Sequence, residues 1–557
     1  MAEIILPGTY ITVRDEALIS AGRVVSGNIG IVGTAAKGAV DELQIVGSFS
    51  EAKSVFGESD SWVDGNSDEL TLIRALEHIY NNGGKTVYAV RTAKAATKAA
   101  YQTRDVSDVD LTKLESITPG TWGNEIKINI GDADDAAFVT ETLPGDSASL
   151  QRLNIVSGSA LNVIKVKQTS TGLTLNYEVV YNVAVDDSKP EVSVNTSTGA
   201  LDFTALTGFA PTGADIITTS YEVPTANSKK VELSYQTNKE TYTIADASHL
   251  AEQVNQNSAL VSAPTASESG FYNQLPKDTV GEKLFGTGLD GHSAGFNGED
   301  ADHTHYKASL VKLENEVVNI VSLAGQDVSD GQMVTALAGH LNTTAEIKRE
   351  RIGIIGSNGT EDVNTIAAHT LNSDRLIYVA PGIKVSNNVT LTGAYMAAAV
   401  AGLISSVPVQ TSPTNKVLTI PSLASEFSSS QLEKLVMNRV LAVENREGFR
   451  VVKGITTATN SAWHQITTRR IVDYAIYGVR SGSNPYIGKL NNERVRSALK
   501  ATLDAFLTRM VDNEALISYE LEVTATRPQQ IAGEAIVTMT VRPTFSIDFI
   551  KVTMYLG

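Results

Sequence analysis

Apolar residues recur along this chain with two different periods, and the change from one to the other divides it. From Asn28, NIGIVGTAAKG sets Ile29, Ile31 and Val32 in a buried-strand pattern closed by glycines. Phe49 to Phe56 reads as a short helix. Leu70, Ile73, Leu76, Ile79 and Tyr80 then share one helical face, with Asn66 and Glu69 at capping-box spacing before it and Gly83-Gly84 after it. TVYAVR from Thr86 reads as a strand. Strand, helix and strand at this spacing predict a βαβ unit with parallel strands.

Past Pro119 the period falls to two. EIKINI, NVIKVKQ, YEVVYNVAV and KVELSYQ alternate between turn clusters as far as about Asp300, which predicts an all-β stretch inserted into the first domain. Helix and strand alternate again from about His305. VVNIVSLAG, RIGIIGS and RLIYVAPG read as strands, and Asp330 to Arg349 as a helix. LTGAYMAAAVAGLISSVPV from Leu391 reads as a buried helix. No uncharged apolar run reaches the roughly 18–20 residues that a bilayer requires.

In the last third, SSQLEKLVMNRVLAVEN leads from helix into strand. NNERVRSALKATLDAFLTRMVD carries Val495, Leu499, Leu503, Phe506 and Met510 on one helical face. Three strands are expected after it, at Ile517 to Ala525, Glu534 to Arg542 and Ile547 to Leu556. The last sets Ile550, Val552, Met554 and Leu556 on one side. At the other end, Glu3 to Val13 is strand-like and broken by Pro7-Gly8. The expected fold class is therefore α/β plus β, a mixed multi-domain chain. It has an α/β domain in two parts (26–118 and 301–425), an inserted β-rich region (119–300), a C-terminal α+β domain (426–545) and extended terminal arms (1–25 and 546–557).

Composition narrows the chemistry. Hydrophobic residues are 42% and charged residues 19% of the 557, the balance of a folded globular chain. There is no cysteine, which excludes disulfides, thiolate metal sites and a cysteine nucleophile. MAEIILPGTYITVRDEA lacks the pattern of a secretory signal, so the expectation is a soluble chain with no membrane insertion. A net charge of −17 argues against direct nucleic-acid binding.

The charge is uneven. From Gln431 onward there are 16 Lys+Arg against 12 Asp+Glu. Eight basic residues fall between Arg469 and Arg509, opposed by Asp473, Glu493 and Asp504. Arg496 and Lys500 flank the helical stripe one turn apart. Lys489, Arg494, Arg496 and Lys500 are candidates for meeting an acidic partner surface; the alternative is an ordinary solvated helix face.

Three segments resemble ligand sites. GTGLDG from Gly286 fits GxGxxG, but neither a buried strand before it nor a helix opening after it is evident. Asp300, Asp302, His303 and His305 could hold a metal, or form a polar turn. RIGIIGSNGTED lacks the lysine of a phosphate loop. No nucleophile elbow, HExxH or phosphate loop occurs, so no catalytic residue, cofactor or metal is expected, and the chain reads as a non-enzyme.

Several ordered segments resemble contractile bacteriophage tail sheath proteins. They are LPGTYITV at Leu6, NIGIVGTAAKGAVDELQIVGSFSEAKSVFG, ALEHIYNNGGKTVYAVR, GTWGNEIKI at Gly120, TRRIVDYAIYGVR and NNERVR with the closing strands. The resemblance implies a virion subunit, assembled in the host cytoplasm, that polymerises with itself as stacked six-fold rings around an inner tail tube. Its other implied partners are baseplate and tail terminator proteins. It also implies that arm strands add to neighbouring subunits' sheets; in this chain these are Ile4, Ile5, Tyr10, Ile11 and Val13 at one end and Ile550, Val552, Met554 and Leu556 at the other. Free strand edges do invite such pairing. The rival readings are an α/β enzyme with an unrecognised site and a surface-layer or adhesin-like protein; the second should carry a secretion signal.

Overall fold

A run of fully buried parallel strands organises the first of two compact units. The computed structural model describes residues 25–59, 70–203, 209–287, 291–385, 389–548 and 550–554. The first unit comprises the chain up to Thr34, Asp41–Thr92 and Ala301 onward; the second comprises Ala35–Val40 and Ala93–Asp300.

In the first unit one sheet holds nine strands. Their order is Leu43–Val46, Val87–Arg91, Ile29–Gly33, Ile320–Asp327, Ile352–Gly356, Leu376–Ala380, Leu441–Asn445, Phe449–Val451 and Val417–Leu418. From Val87–Arg91 to Leu441–Asn445 the pairing is parallel; at both margins it is antiparallel. IGIVG, IGIIG and LIYVA are buried at every position, which is why they read as continuous apolar runs and not as alternation. His303–Val311, Gly331–Glu346 and Ser429–Met437 cover one face through Tyr306, Leu310, Met333, Leu337, Leu432 and Leu435. Asp330 caps the middle helix by accepting from the Gln332 and Met333 amides.

The other face is covered by Thr71–Asn81 and Gly393–Ser406. The latter is the Ala/Gly-rich segment, and it is buried from Gly393 through Ile404. Its small residues are there for closeness. A Cβ at Gly402 would lie 2.3 Å from the Ile79 carbonyl oxygen, and one at Gly356 would lie 1.8 Å from the Gly393 carbonyl carbon. Only glycine lets the two helices and the sheet meet at that distance. The helix expected over the Leu70–Tyr80 stripe is Thr71–Asn81, with seven of its residues buried; Asn66 and Glu69, its expected capping pair, lie outside the described residues.

The second unit is β-rich but not all-β. Its largest sheet runs Leu201–Asp202, Glu191–Val194, Thr174–Tyr181, Val163–Lys167, Ile216–Val223, Ala137–Pro144. A four-stranded sheet of Asn238–Ile244, Lys229–Tyr235, Lys127–Asp132 and Lys283–Leu284 adjoins a three-stranded one. The sequence reading missed the helix Ala247–Asn257, which Asp246 caps and which packs Leu250, Ala251 and Val254 into the core of the four-stranded sheet. Two further facts bear on how this unit is tied together. Lys37, in the short Ala35–Val40 segment, sits over the rings of Trp122 and Tyr235 at 4.9 and 5.4 Å. Arg152 is buried with its guanidinium on Glu141 (3.0 Å), Asp246 (3.0 Å) and Glu252 (2.8 Å), joining the six-stranded sheet to the helix.

Two predictions follow from this packing. Gly402→Val forces a branched side chain into the Ile79 backbone and should destabilise the first unit by roughly 2–3 kcal/mol, seen as a lower thermal unfolding midpoint; an unchanged midpoint would mean the helices are not in that contact. The second concerns acid. Burial lowers the pKa of His78 to about 4. Burial, with the nearby Arg152 and Arg351 charges, lowers His249 and His340 to about 3. Unfolded imidazoles titrate near ~6.5, so below that pH the unfolded chain binds more protons than the folded one. The stability these residues confer is complete above ~6.5 and is lost as pH falls towards the folded values, by roughly 2 kcal/mol for each at pH ~5. Unfolding midpoints measured from pH 7 to 5 should fall, and should fall less in a His249→Gln/His340→Gln chain.

Candidate assembly surface

The C-terminal segment is built from two long helices and a ribbon whose strands are joined through the short helix Arg527–Ile531. Ile466–Ser483 and Glu493–Asp512 cross at Gly478, where a Cβ would lie 1.9 Å from the Phe506 ring. The Tyr474 and Phe506 rings stack there, with centroids 5.8 Å apart. The predicted stripe is inward: Leu499, Leu503, Phe506 and Met510 are buried. Asn492 caps the helix by accepting from the Val495 amide at 3.0 Å. Leu516–Thr524 and Ile536–Pro543 then form an antiparallel ribbon, with Tyr519, Leu521, Met539 and Val541 packed against Phe506, Leu507 and Met510.

Among the described residues this ribbon has no third strand. Both of its outer edges present backbone donors and acceptors in the pattern a further strand would need. A two-stranded ribbon is marginal by itself, and here one face of it rests on a helix.

The third closing strand expected at Ile547 to Leu556 is not formed over its described residues. The chain leaves the ribbon with the Thr544 amide donating to the Ala515 carbonyl at 3.2 Å. The Ser546 amide donates to Gln465 Oε1 at 3.3 Å. Asp548 receives Gln465 Nε2 at 3.3 Å and lies 3.6 Å from Lys453 Nζ. Beyond it Ile550, Val552 and Met554 are 82%, 77% and 86% exposed. The physical reason is simple: a strand exists only against a partner, and no edge among the described residues takes the segment up. Leu556, and the N-terminal Ile4, Ile5, Tyr10, Ile11 and Val13, lie outside the described residues.

Seven of the eight basic residues divide by role; the eighth, Arg509, donates Nε to the Ala505 carbonyl of its own helix at 3.3 Å. Arg469 binds Asp374 and Asp473 at 2.8 and 2.6 Å. Arg480 pairs with Glu350 at 2.8 Å. Arg470 is buried and donates to the carbonyls of Ser26, Val407 and Pro408 at 3.3, 3.1 and 3.2 Å. These three fasten Ile466–Ser483 to the body of the unit, a use signalled by the i,i+4 spacing of Arg469 and Asp473. The four candidate residues sit elsewhere. Arg494 and Lys500 are exposed on Glu493–Asp512, and Arg496 donates to the Asn491 carbonyl and side chain. Lys489 lies over the Tyr486 ring at 4.8 Å, between Ile487 and Leu490, which are 79% and 77% exposed. This end of the helical pair is both basic and apolar.

The segments resembling ligand sites have these surroundings among the described residues. In open parallel sheets, ligands bind where the strand order reverses, here between Ile29–Gly33 and Ile320–Asp327. That crevice is filled: a Cβ at Gly33 would lie 2.6 Å from Ala324 Cβ, and one at Gly325 2.3 Å from Thr71 Cγ2. The glycines of RIGIIGSNGTED make room for backbone, since the Gly393 amide donates to the Ser357 carbonyl at 2.6 Å. Asp302 caps His303–Val311 and receives the Thr304 amide and His305 Nδ1 at 2.8 and 2.9 Å. No metal-binding group of three or more His, Asp or Glu occurs among the described residues. In GTGLDG, Gly286 and Gly291 have φ of 68° and 82° and no helix follows; residues 288–290 lie outside the described set. No helix among the described residues is long and apolar enough to cross a membrane.

Residues 299–457 match the family model of the phage tail sheath protein central domain, and residues 458–557 that of the phage tail sheath C-terminal domain. These two matches are contiguous, and both are to domains of phage tail sheath proteins. The fold is similar to that of the sheath tail protein from Listeria innocua, at 13% identity and TM-score 0.59, over 94% of this chain and 93% of that one. It is also similar to the sheath tail protein from Desulfitobacterium hafniense, at 13% identity and TM-score 0.55, over 96% and 100%. A search of curated protein sequences finds no match to this chain.

Proposed function

We propose that this chain is the subunit of a contractile tail sheath. It polymerises with itself as stacked six-fold rings around an inner tail tube, and contraction of the polymer drives the tube through a host envelope for genome injection. The subunit is structural, without catalysis or cofactor, and becomes part of the virion after assembly in the host cytoplasm. The observation that carries this reading is the ribbon Leu516–Thr524/Ile536–Pro543, open at both edges, in the same chain as an exposed apolar tail anchored at Asp548. Stacked rings need a head-to-tail contact that does not close on itself, and strand exchange provides one. Ile550, Val552 and Met554 at one end, and Ile4, Ile5, Tyr10, Ile11 and Val13 at the other, supply strands to ribbons of neighbouring copies. Subunits then move as rigid bodies during contraction while the strands keep them connected. The tube is the acidic partner of Lys489, Arg494, Arg496 and Lys500, and the baseplate and terminator proteins meet the two ends of the polymer.

Deleting residues 1–20 or 550–557 should leave a monomer with a near-normal unfolding midpoint that forms no long tubes in electron micrographs. Regular tubes from either truncated chain would refute strand exchange at that end. Arg494→Glu with Lys500→Glu should weaken co-sedimentation with preformed tube at low salt, and the difference from the unsubstituted chain should shrink as salt shortens the screening length. Equal binding at low salt would leave these residues as solvated surface.

A further inference from the structure

Ser26, near the first described residue, and Ser546 and Asp548, near the last, are each bound by a residue at the start of one helix. At the N-terminal side, the Val25 carbonyl accepts from Asn319 Nδ2 at 3.1 Å and the Ser26 carbonyl from Arg470 Nη2 at 3.3 Å. Asn28 is doubly held: its amide donates to Asn319 Oδ1 at 3.1 Å and its side chain to the Val317 carbonyl at 2.7 Å. Gly27 lies so near Ser405 that a Cβ would meet its carbonyl oxygen at 2.6 Å. At the C-terminal side, Ser546 and Asp548 are bound by Gln465, the N-cap residue of Ile466–Ser483. Gln465 and Arg470 are about one and a half turns apart on that helix.

Arg470 is the unusual member. It is buried and donates to three carbonyls, with no carboxylate in hydrogen-bond contact among the described residues. A guanidinium can serve three carbonyls of two separate segments at once because its donors are spread over a rigid plane. The same helix is fixed to the central sheet by Arg469 on Asp374, by Asp473 on Arg375 and by Arg480 on Glu350.

We infer that the opening turns of helix Ile466–Ser483 are a shared junction that positions the roots of both arms, Arg470 holding the N-terminal root and Gln465 the C-terminal one. The inference rests on the reading above that the chain ends connect neighbouring subunits. Under it, a pull on either arm enters the subunit at the same place and passes to the central sheet through the ion pairs. The ribbon and the hydrophobic cores are bypassed, so a subunit can be turned by its neighbours without being opened.

Hydrogen–deuterium exchange on the full-length monomer tests the junction before any polymer exists. Gln465→Ala should speed exchange across 544–548 by roughly five-fold, the effect of one lost hydrogen bond, and should also speed it, by less, across 26–28. Arg470→Lys keeps the charge but cannot span three carbonyls, and should do the reverse. Variants that each change only their own segment would overturn a shared junction, and so would variants that change neither. If Arg470→Lys also loosens the strand Ile352–Gly356, the fold has been harmed, and the decision falls to Gln465→Ala and Asp548→Ala. Electron microscopy then separates the two claims. If the unsubstituted chain never forms tubes, the sheath reading fails while the monomer exchange result still decides the junction. Tubes of normal length from variants with loosened roots would overturn the positioning role.

Discussion

Asp473 is the contact on which the rest of the C-terminal half depends. It sits on Ile466–Ser483 between two guanidiniums, Arg375 at 2.8 Å and Arg469 at 2.6 Å. Burial pushes its carboxyl pKa up, against the pull of both arginines. Removing a partner from such a buried cluster costs about 3–5 kcal/mol, because the remaining charges stay behind without compensation. The cluster is thus a weak source of stability but a strict one of position. It fixes which face of the helix meets the sheet, and the helix in turn places Glu493–Asp512 through Gly478 and Phe506, and that helix supports the ribbon.

This also explains which parts were legible in the sequence. Ile29–Gly33, Ile352–Gly356 and Leu376–Ala380 announced themselves because burial on both faces leaves only apolar residues. The stripe of Glu493–Asp512 was legible because one side of it is wet. Ile466–Ser483 gave no such stripe: its inward face carries Arg469 and Arg470, whose burial is offset by ion pairs and carbonyls instead of by apolar packing. Counting charges alone therefore did not separate these buried arginines from the exposed Arg494 and Lys500. Ala247–Asn257 was hidden differently, being one amphipathic helix among strands of similar composition, with only the Asp246 cap to mark it. The strand expected at Ile547 to Leu556 has the right alternation but no strand partner among the described residues, and alternation alone cannot say where a partner comes from.

The glycines teach a related lesson. Gly33, Gly325, Gly356 and Gly393 occupy the places where a nucleotide-binding sheet keeps room for phosphate. Here they keep room for protein. Thr71 fills the space at Gly325, and the start of Gly393–Ser406 fills the space at Gly356. Glycine spacing reports that something approaches the backbone closely; what approaches is settled only by the packing.

The chain also leaves the first unit at the carboxyl end of that sheet. Thr34 and Thr92 follow the adjacent strands Ile29–Gly33 and Val87–Arg91, and each is the last residue of the first unit before the second begins. What is left for intermolecular contact lies at the opposite extreme of order: a ribbon lacking strands and a tail lacking a ribbon. A rigid, filled sheet and an incomplete one are complementary requirements. In the proposed sheath, the first would let a subunit move as a body, and the second would pair its open edges with neighbouring copies.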